Sequence, residues 1–199
     1  MRLRRIVRRH PLGAALVFEG MLIPLALALA LLLGVRPWTQ FHSSAETVLV
    51  SVAATLPLLA FLGLFAAARP AWFEEIDARV RQLIESLFRG CGYGPVLAVS
   101  ALAGLGEELL FRGVVQAWLT GLAGPWTGVI LASGLFGLAH AVTRAYFVLA
   151  MAMGVYLGML YHLTGNLLLP TLVHALYDAI AIIYLLRAAR GRDATAGGG

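Results

Sequence analysis

The sequence predicts an all-α, polytopic membrane bundle of about six spanning helices plus one interfacial amphipathic helix, and three observations carry that prediction. Of its 199 residues, 60% are hydrophobic and 13% charged, whereas soluble domains carry about 25% charged residues. The apolar residues gather into runs close to the roughly 20 residues that a bilayer crossing requires. Arginines, finally, collect on one side of those runs.

The chain opens with MRLRRIVRR, and every one of its fifteen basic residues is arginine. A basic arm that leads straight into an apolar run has the pattern of a positive-inside anchor, so membrane lipid rather than nucleic acid is the expected partner. The run after His10 is longer than a signal-peptide core, and GVRPWTQFHSSA offers no small-residue cleavage site, so the segment reads as a retained helix. A single cysteine, Cys91, excludes an internal disulfide and a thiolate metal site. No 20–50-residue repeat is present, which argues against a tandem array. These features divide the chain into a basic arm (1–13), one membrane-embedded domain (14–187) and a tail (188–199) that is polar enough to be disordered.

Apolar segments fall at 14–35, 45–68, 95–119, 126–142, 146–163 and 167–187. Six crossings put both termini on one side. With the N-terminus inside, that side collects thirteen arginines, from Arg2 to Arg192; Arg36 is left outside and Arg112 within a span. The positive-inside rule demands this asymmetry, and it predicts cytoplasmic termini in a bacterial-type cell membrane. Between the second and third spans, Trp72, Phe73, Ile76, Val80, Leu83, Ile84, Leu87 and Phe88 recur at three and four residues. That spacing predicts an amphipathic helix over 71–88, lying at the inner surface against lipid or against the protein's own cytoplasmic end. GCGYGP (90–95) then breaks the helix.

Few ionisable groups remain at membrane depth: Glu19, Glu107, Glu108, Arg112, His140, His174 and Asp178, with His162 near a span end. Each unpaired charge at a helix centre costs about 2.5–3.5 kcal/mol on insertion scales, so such residues are functional candidates. Glu108 and Arg112 stand four apart, glutamate first, the favourable order for an ion pair. Glu107 is displaced about 100° around the same helix and points elsewhere. Phe136 shares a face with His140, and His174 with Asp178. Glu107, His140, His174 and Asp178 come from three spans, and burying each is unfavourable unless they meet, which predicts a shared catalytic or ion-handling site. Glu19 and His162 are expected at the two membrane surfaces. At about 1.5 Å rise per residue, Glu107, His140 and His174 reach one depth only if helices are tilted or broken.

These residues resemble a known set. EELLFR (107–112) resembles the EExxxR motif of the CPBP family, the CAAX-prenyl-protease and bacteriocin-processing intramembrane endopeptidases, also called the abortive-infection family. SGLFGLAH (133–140) is similar to its FxxxH motif, and GNLLLPTLVHALYD (165–178) to its HxxxN/D motif, all within 100–180 and in the family order. The resemblance implies hydrolysis of a peptide bond in a membrane-associated peptide or protein. Glu107 would be the general base assisted by His140, and His174 with Asp178 would bind the oxyanion, supported by Glu108, Arg112 and Phe136. An ionised Asp178 cannot donate to an oxyanion, so burial keeps it protonated or it orients His174 instead. Glu107, His140 and His174 also make a two-histidine, one-carboxylate set suited to Zn²⁺, so a metal-dependent and a metal-free route both stand. An ion-coupled transporter and a non-catalytic immunity or partner protein are the competing functions; the first would show two similar halves with broken helices, and none is seen.

The arginine count yields a direct test of topology. Reporters fused after residue 40 and at the C-terminus should report opposite sides of the membrane, and finding both on one side would end the six-crossing scheme.

Overall fold

The computed structural model describes residues 10–196, with side chains through residue 188, and its regular elements are all helical. These are α1 (Pro11–Leu33), a 3₁₀ turn (Pro37–Gln40), α2 (Ala45–Ala68), α3 (Ala71–Phe88), α4 (Tyr93–Ala123), α5 (Pro125–Ala139), α6 (Arg144–Thr164) and α7 (Leu168–Ala196). Five of them, α1, α2, α4, α6 and α7 over Leu168–Ala188, are long and apolar enough to cross a bilayer. Their outward faces carry large exposed hydrophobics such as Phe18, Leu32, Leu49 and Leu64, as an integral membrane protein requires.

Five of the six expected crossings are thus full-length helices, and the remaining one is a shorter apolar helix. The fourth expected span, 126–142, is the 15-residue α5, about 22 Å long at 1.5 Å per residue against a hydrocarbon core of about 30 Å. Local hydrogen bonding stops it. The backbone N–H of His140 turns to the Gly137 carbonyl at 3.1 Å, while its ring Nδ1 takes the Phe136 carbonyl at 2.8 Å, so the next α-helical bond is lost. At the other end of the chain α7 continues as helix through Ala196, past residue 188 where disorder is expected, because alanine and arginine are strong helix formers. The first nine residues of the basic arm and residues 197–199 lie outside the described residues.

Residues 71–88 form the expected amphipathic helix, and its apolar face covers the bundle itself. Ile84 and Phe88 of α3 pack with Val96 and Val99 of α4 and with Leu185 and Leu186 of α7. Arg81 fastens the contact: it holds Asp77 at 2.8 Å and donates to the Leu185 carbonyl at 3.1 Å.

α4 is the central element, and glycine lets its neighbours approach to backbone contact. A Cβ on Gly104 would lie 2.9 Å from the Thr171 carbonyl of α7, and one on Gly106 would lie 2.9 Å from the Glu19 carbonyl of α1. Small residues are the usual basis of helix packing where apolar burial gives no advantage over lipid. α2 meets α7 through a stripe of buried hydroxyls, Thr47, Ser51 and Thr55; the Ser51 and Thr55 hydroxyls donate back to carbonyls one turn earlier. Within α4 the segment Leu109–Gln116 is wound as a π-helix, a geometry that is rare and concentrated at functional sites.

At the end of the bundle opposite α3, Asn166 ties three segments together. Its carbonyl oxygen accepts from the N–H groups of His42 and Leu168, and its amide donates to the His42 carbonyl and the Thr47 hydroxyl. Asn166→Ala removes these four bonds from a part-buried junction, at about 0.5–1.5 kcal/mol for each. Thermal unfolding in detergent should show a lower midpoint for Asn166→Ala, and an unchanged midpoint would remove the latch role.

Candidate active site

Two adjacent glutamates on α4 face different partners. Glu108 is fully buried, and its Oε1 meets Nη1 of Arg112 at 2.7 Å and Nδ1 of His174 at 2.8 Å. Arg112, itself 1% exposed, donates through Nη2 to the Gly154 carbonyl of α6 at 3.0 Å and lies 4.6 Å from the centre of the Phe136 ring. One carboxylate thus joins α4 to α7, and its arginine joins α4 to α6 and α5. Gln116, one turn beyond Arg112, repeats the device by donating to the Gly158 carbonyl at 2.9 Å.

Glu107 turns the other way. Its Oε2 stands 3.4 Å from Nε2 of His140, with no hydrogen-bond partner among the described residues. His140 is oriented by the Phe136 carbonyl, and because a carbonyl only accepts, Nδ1 carries the hydrogen of that bond. Phe136 packs beneath both histidines, its ring centre 4.4 Å from that of His140 and 5.9 Å from that of His174. Nε2 of His174 faces Oδ2 of Asp178 at 3.5 Å. The early end of α5 and the π segment of α4 together bring residues of three helices to one place.

A cavity of about 380 Å³ opens beside this cluster. His140, His174 and Asp178 form its polar wall, while Leu58, Phe61 and Phe73 are among the apolar residues opposite. Such a chamber accommodates an apolar chain next to a small set of hydrogen-bonding groups.

A Zn²⁺ ion on Glu107, His140 and His174 would need the three to converge. They are divided instead into two couples, Glu107 with His140 and Glu108 with His174. No grouping of three His, Cys, Asp or Glu side chains that could hold an ion exists among the described residues. The residues as placed do not fit a zinc site.

Three features escape sequence reasoning. His174 holds Glu108, a contact between residues 66 positions apart. Tyr146 lines the cavity beside His140 and Asp178. Glu19, expected at the membrane surface, turns inward: its Oε2 is buried without a hydrogen-bond partner among the described residues, and its charge is in electrostatic reach of Glu107, Asp178, His174 and His140. Counting from Pro11 was the available signal, since Glu19 lies about 12 Å along α1 at 1.5 Å per residue. His162 is exposed beside Trp126, as expected of a surface residue.

With this geometry in hand, comparison with known proteins is specific. Residues 85–180 match the family described as type II CAAX prenyl endopeptidase Rce1-like, a stretch that contains all three motifs. The uncharacterized protein YpbD of Bacillus subtilis (strain 168) is 31% identical over 85 residues, which is 43% of this chain. The match spans 42% of that relative's length. No solved structure matches. The resemblance drawn from the three motifs is borne out over that stretch.

Arg112→Ala would leave the buried Glu108 with His174 as its one remaining partner, at a loss of about 3–5 kcal/mol for a broken buried pair. The expected outcome is a sharp fall in folded, monodisperse protein on size exclusion in detergent. Arg112→Lys should recover part of it, because a single ammonium does not reproduce the two-sided guanidinium contact. Normal yield and thermal midpoint for Arg112→Ala would contradict the buried network.

Proposed function

We propose that this chain, Rce1-like over residues 85–180, is a CAAX-protease-type intramembrane endopeptidase. It hydrolyses a peptide bond of a membrane-associated peptide or protein with water activated at Glu107 and His140. The observation that carries this is the Glu107–His140 couple at the edge of an apolar cavity, Oε2 of Glu107 lying 3.4 Å from Nε2 of His140 with no other partner among the described residues. Few arrangements place an available carboxylate and an oriented imidazole together inside a membrane bundle, where each is unfavourable without a role.

In the reaction, the couple takes a proton from water as the hydroxide oxygen adds to the carbonyl carbon and the C=O electron pair moves to oxygen. The proton then goes to the amide nitrogen as the C–N bond breaks. Glu108 and Arg112 keep His174 fixed on the same polar wall as the couple, so the site needs no rearrangement as charge develops. The apolar wall holds the hydrophobic part of the substrate. The protein acts in a bacterial-type cell membrane with both termini cytoplasmic, a topology supported by the arginine distribution.

The test uses the full-length chain in lipid nanodiscs with a peptide mixture that includes a farnesylated C-terminal peptide, read by mass spectrometry with and without chelator. Cleavage is expected, and Glu107→Gln, which keeps size but removes the base, should lower turnover per folded molecule by about 10²–10⁴-fold. Undiminished turnover in Glu107→Gln, or no cleavage by the unaltered chain, overturns the assignment. Activity that disappears with chelator and returns with Zn²⁺ would assign a metal-dependent route.

A further inference from the structure

Hydrolysis of an amide places negative charge on the carbonyl oxygen, and that oxygen needs a hydrogen-bond donor. A census of the polar groups around the cavity shows how scarce donors are. Asp178, when ionised, only accepts. His140 uses Nδ1 on the Phe136 carbonyl and turns Nε2 to Glu107. His174 uses Nδ1 on Glu108 and turns Nε2 to Asp178. The Tyr156 hydroxyl donates to the Ala54 carbonyl at 2.7 Å. Two hydroxyls on the cavity wall, those of Tyr146 and Tyr177, make no hydrogen bond among the described residues.

Position separates these two. Tyr146 is in electrostatic reach of both Glu107 and Asp178, whereas of those two Tyr177 interacts with Asp178 alone. Of the two cavity hydroxyls, Tyr146 is therefore the one within reach of the base as well as of Asp178. Its backbone is fixed as well: Thr143 caps α6 by accepting from the Tyr146 N–H at 3.0 Å. The short connection after His140 thus sets the base couple and this phenol on either side of one turn.

We propose that the Tyr146 hydroxyl is the catalytic donor that stabilises the oxyanion, the part that Asp178 in its ionised form cannot play. The inference rests on the endopeptidase assignment above. In the step, the O–H of Tyr146 forms a hydrogen bond to the oxygen that receives the C=O electron pair, and keeps its proton. The bond lapses when the carbonyl reforms and the C–N bond breaks.

The test compares Tyr146→Phe, Tyr177→Phe, Asp178→Asn and the double variant Tyr146→Phe/Asp178→Asn, with the farnesylated peptide as probe and the thermal midpoint as fold control. Loss of one oxyanion donor lowers kcat by about 10²–10³-fold, so Tyr146→Phe should show that loss with little change in KM. Tyr177→Phe should lose far less. Asparagine brings an N–H₂ donor to the wall, so the double variant should regain activity over Tyr146→Phe, a recovery that a packing role would not produce. Normal kcat in Tyr146→Phe while Glu107→Gln is inactive overturns this inference and leaves the endopeptidase standing. A defect confined to KM overturns it too. An inert unaltered chain removes the endopeptidase assignment itself.

Discussion

The buried carboxylate of Glu108 is the constraint on which the bundle turns. Neither it nor Arg112 has access to water, and each would be strongly unfavourable alone in a low-dielectric interior. Together they are tolerable because they pair with each other and reach on to α6 and α7, through the Gly154 carbonyl and His174. The charges therefore do more than neutralise each other within one helix. They dictate which helices must be neighbours, and at what register, in a solvent where apolar side chains give little preference for one neighbour over another.

Much of this architecture was legible in the sequence because it depends on local spacing. The apolar runs, the i,i+4 order of Glu108 and Arg112 and the three- and four-residue recurrence across 71–88 are properties of consecutive residues, and each has its counterpart in the helices observed. What was not legible depends on partners far along the chain or on departures from regular geometry. Nothing near residue 140 announces that an imidazole will take the carbonyl a helix needs. Nothing near residue 109 announces a π-helical stretch. Counting along α1 gives the depth of Glu19, but not that α1 meets α4 at Gly106 beside it.

The two ends of the molecule are secured by different chemistry. At one end a single asparagine serves several backbone groups, and at the other an amphipathic helix spreads apolar contact over α1, α4 and α7 with one arginine to fix it. Between them lies the cavity, bounded on one side by α2 residues that make mainly apolar contact. The polar cluster is thereby mounted on α4–α7, the helices that Glu108, Arg112 and Gln116 bind together, while the apolar wall is shared between α6 and the elements outside that polar frame, α2 and α3.

The π-helical stretch has a consequence for how the chain tolerates change in length. A ladder with i→i+5 bonds accommodates a residue beyond what an α-helix needs for the same turn. Deleting one residue between 109 and 116 would let the ladder relax to ordinary α-helix with its backbone bonds intact and its hydropathy unaltered. The helix on either side would keep its register, but the side chains within the stretch would be re-aimed, and Arg112 or Gln116 would leave its carbonyl on α6. Gaps are normally absorbed by loops and penalised only in cores. Here a gap inside an apparently uniform membrane helix would spare the helix and dismantle the site, so in this stretch the number of residues is as much a functional specification as their identity.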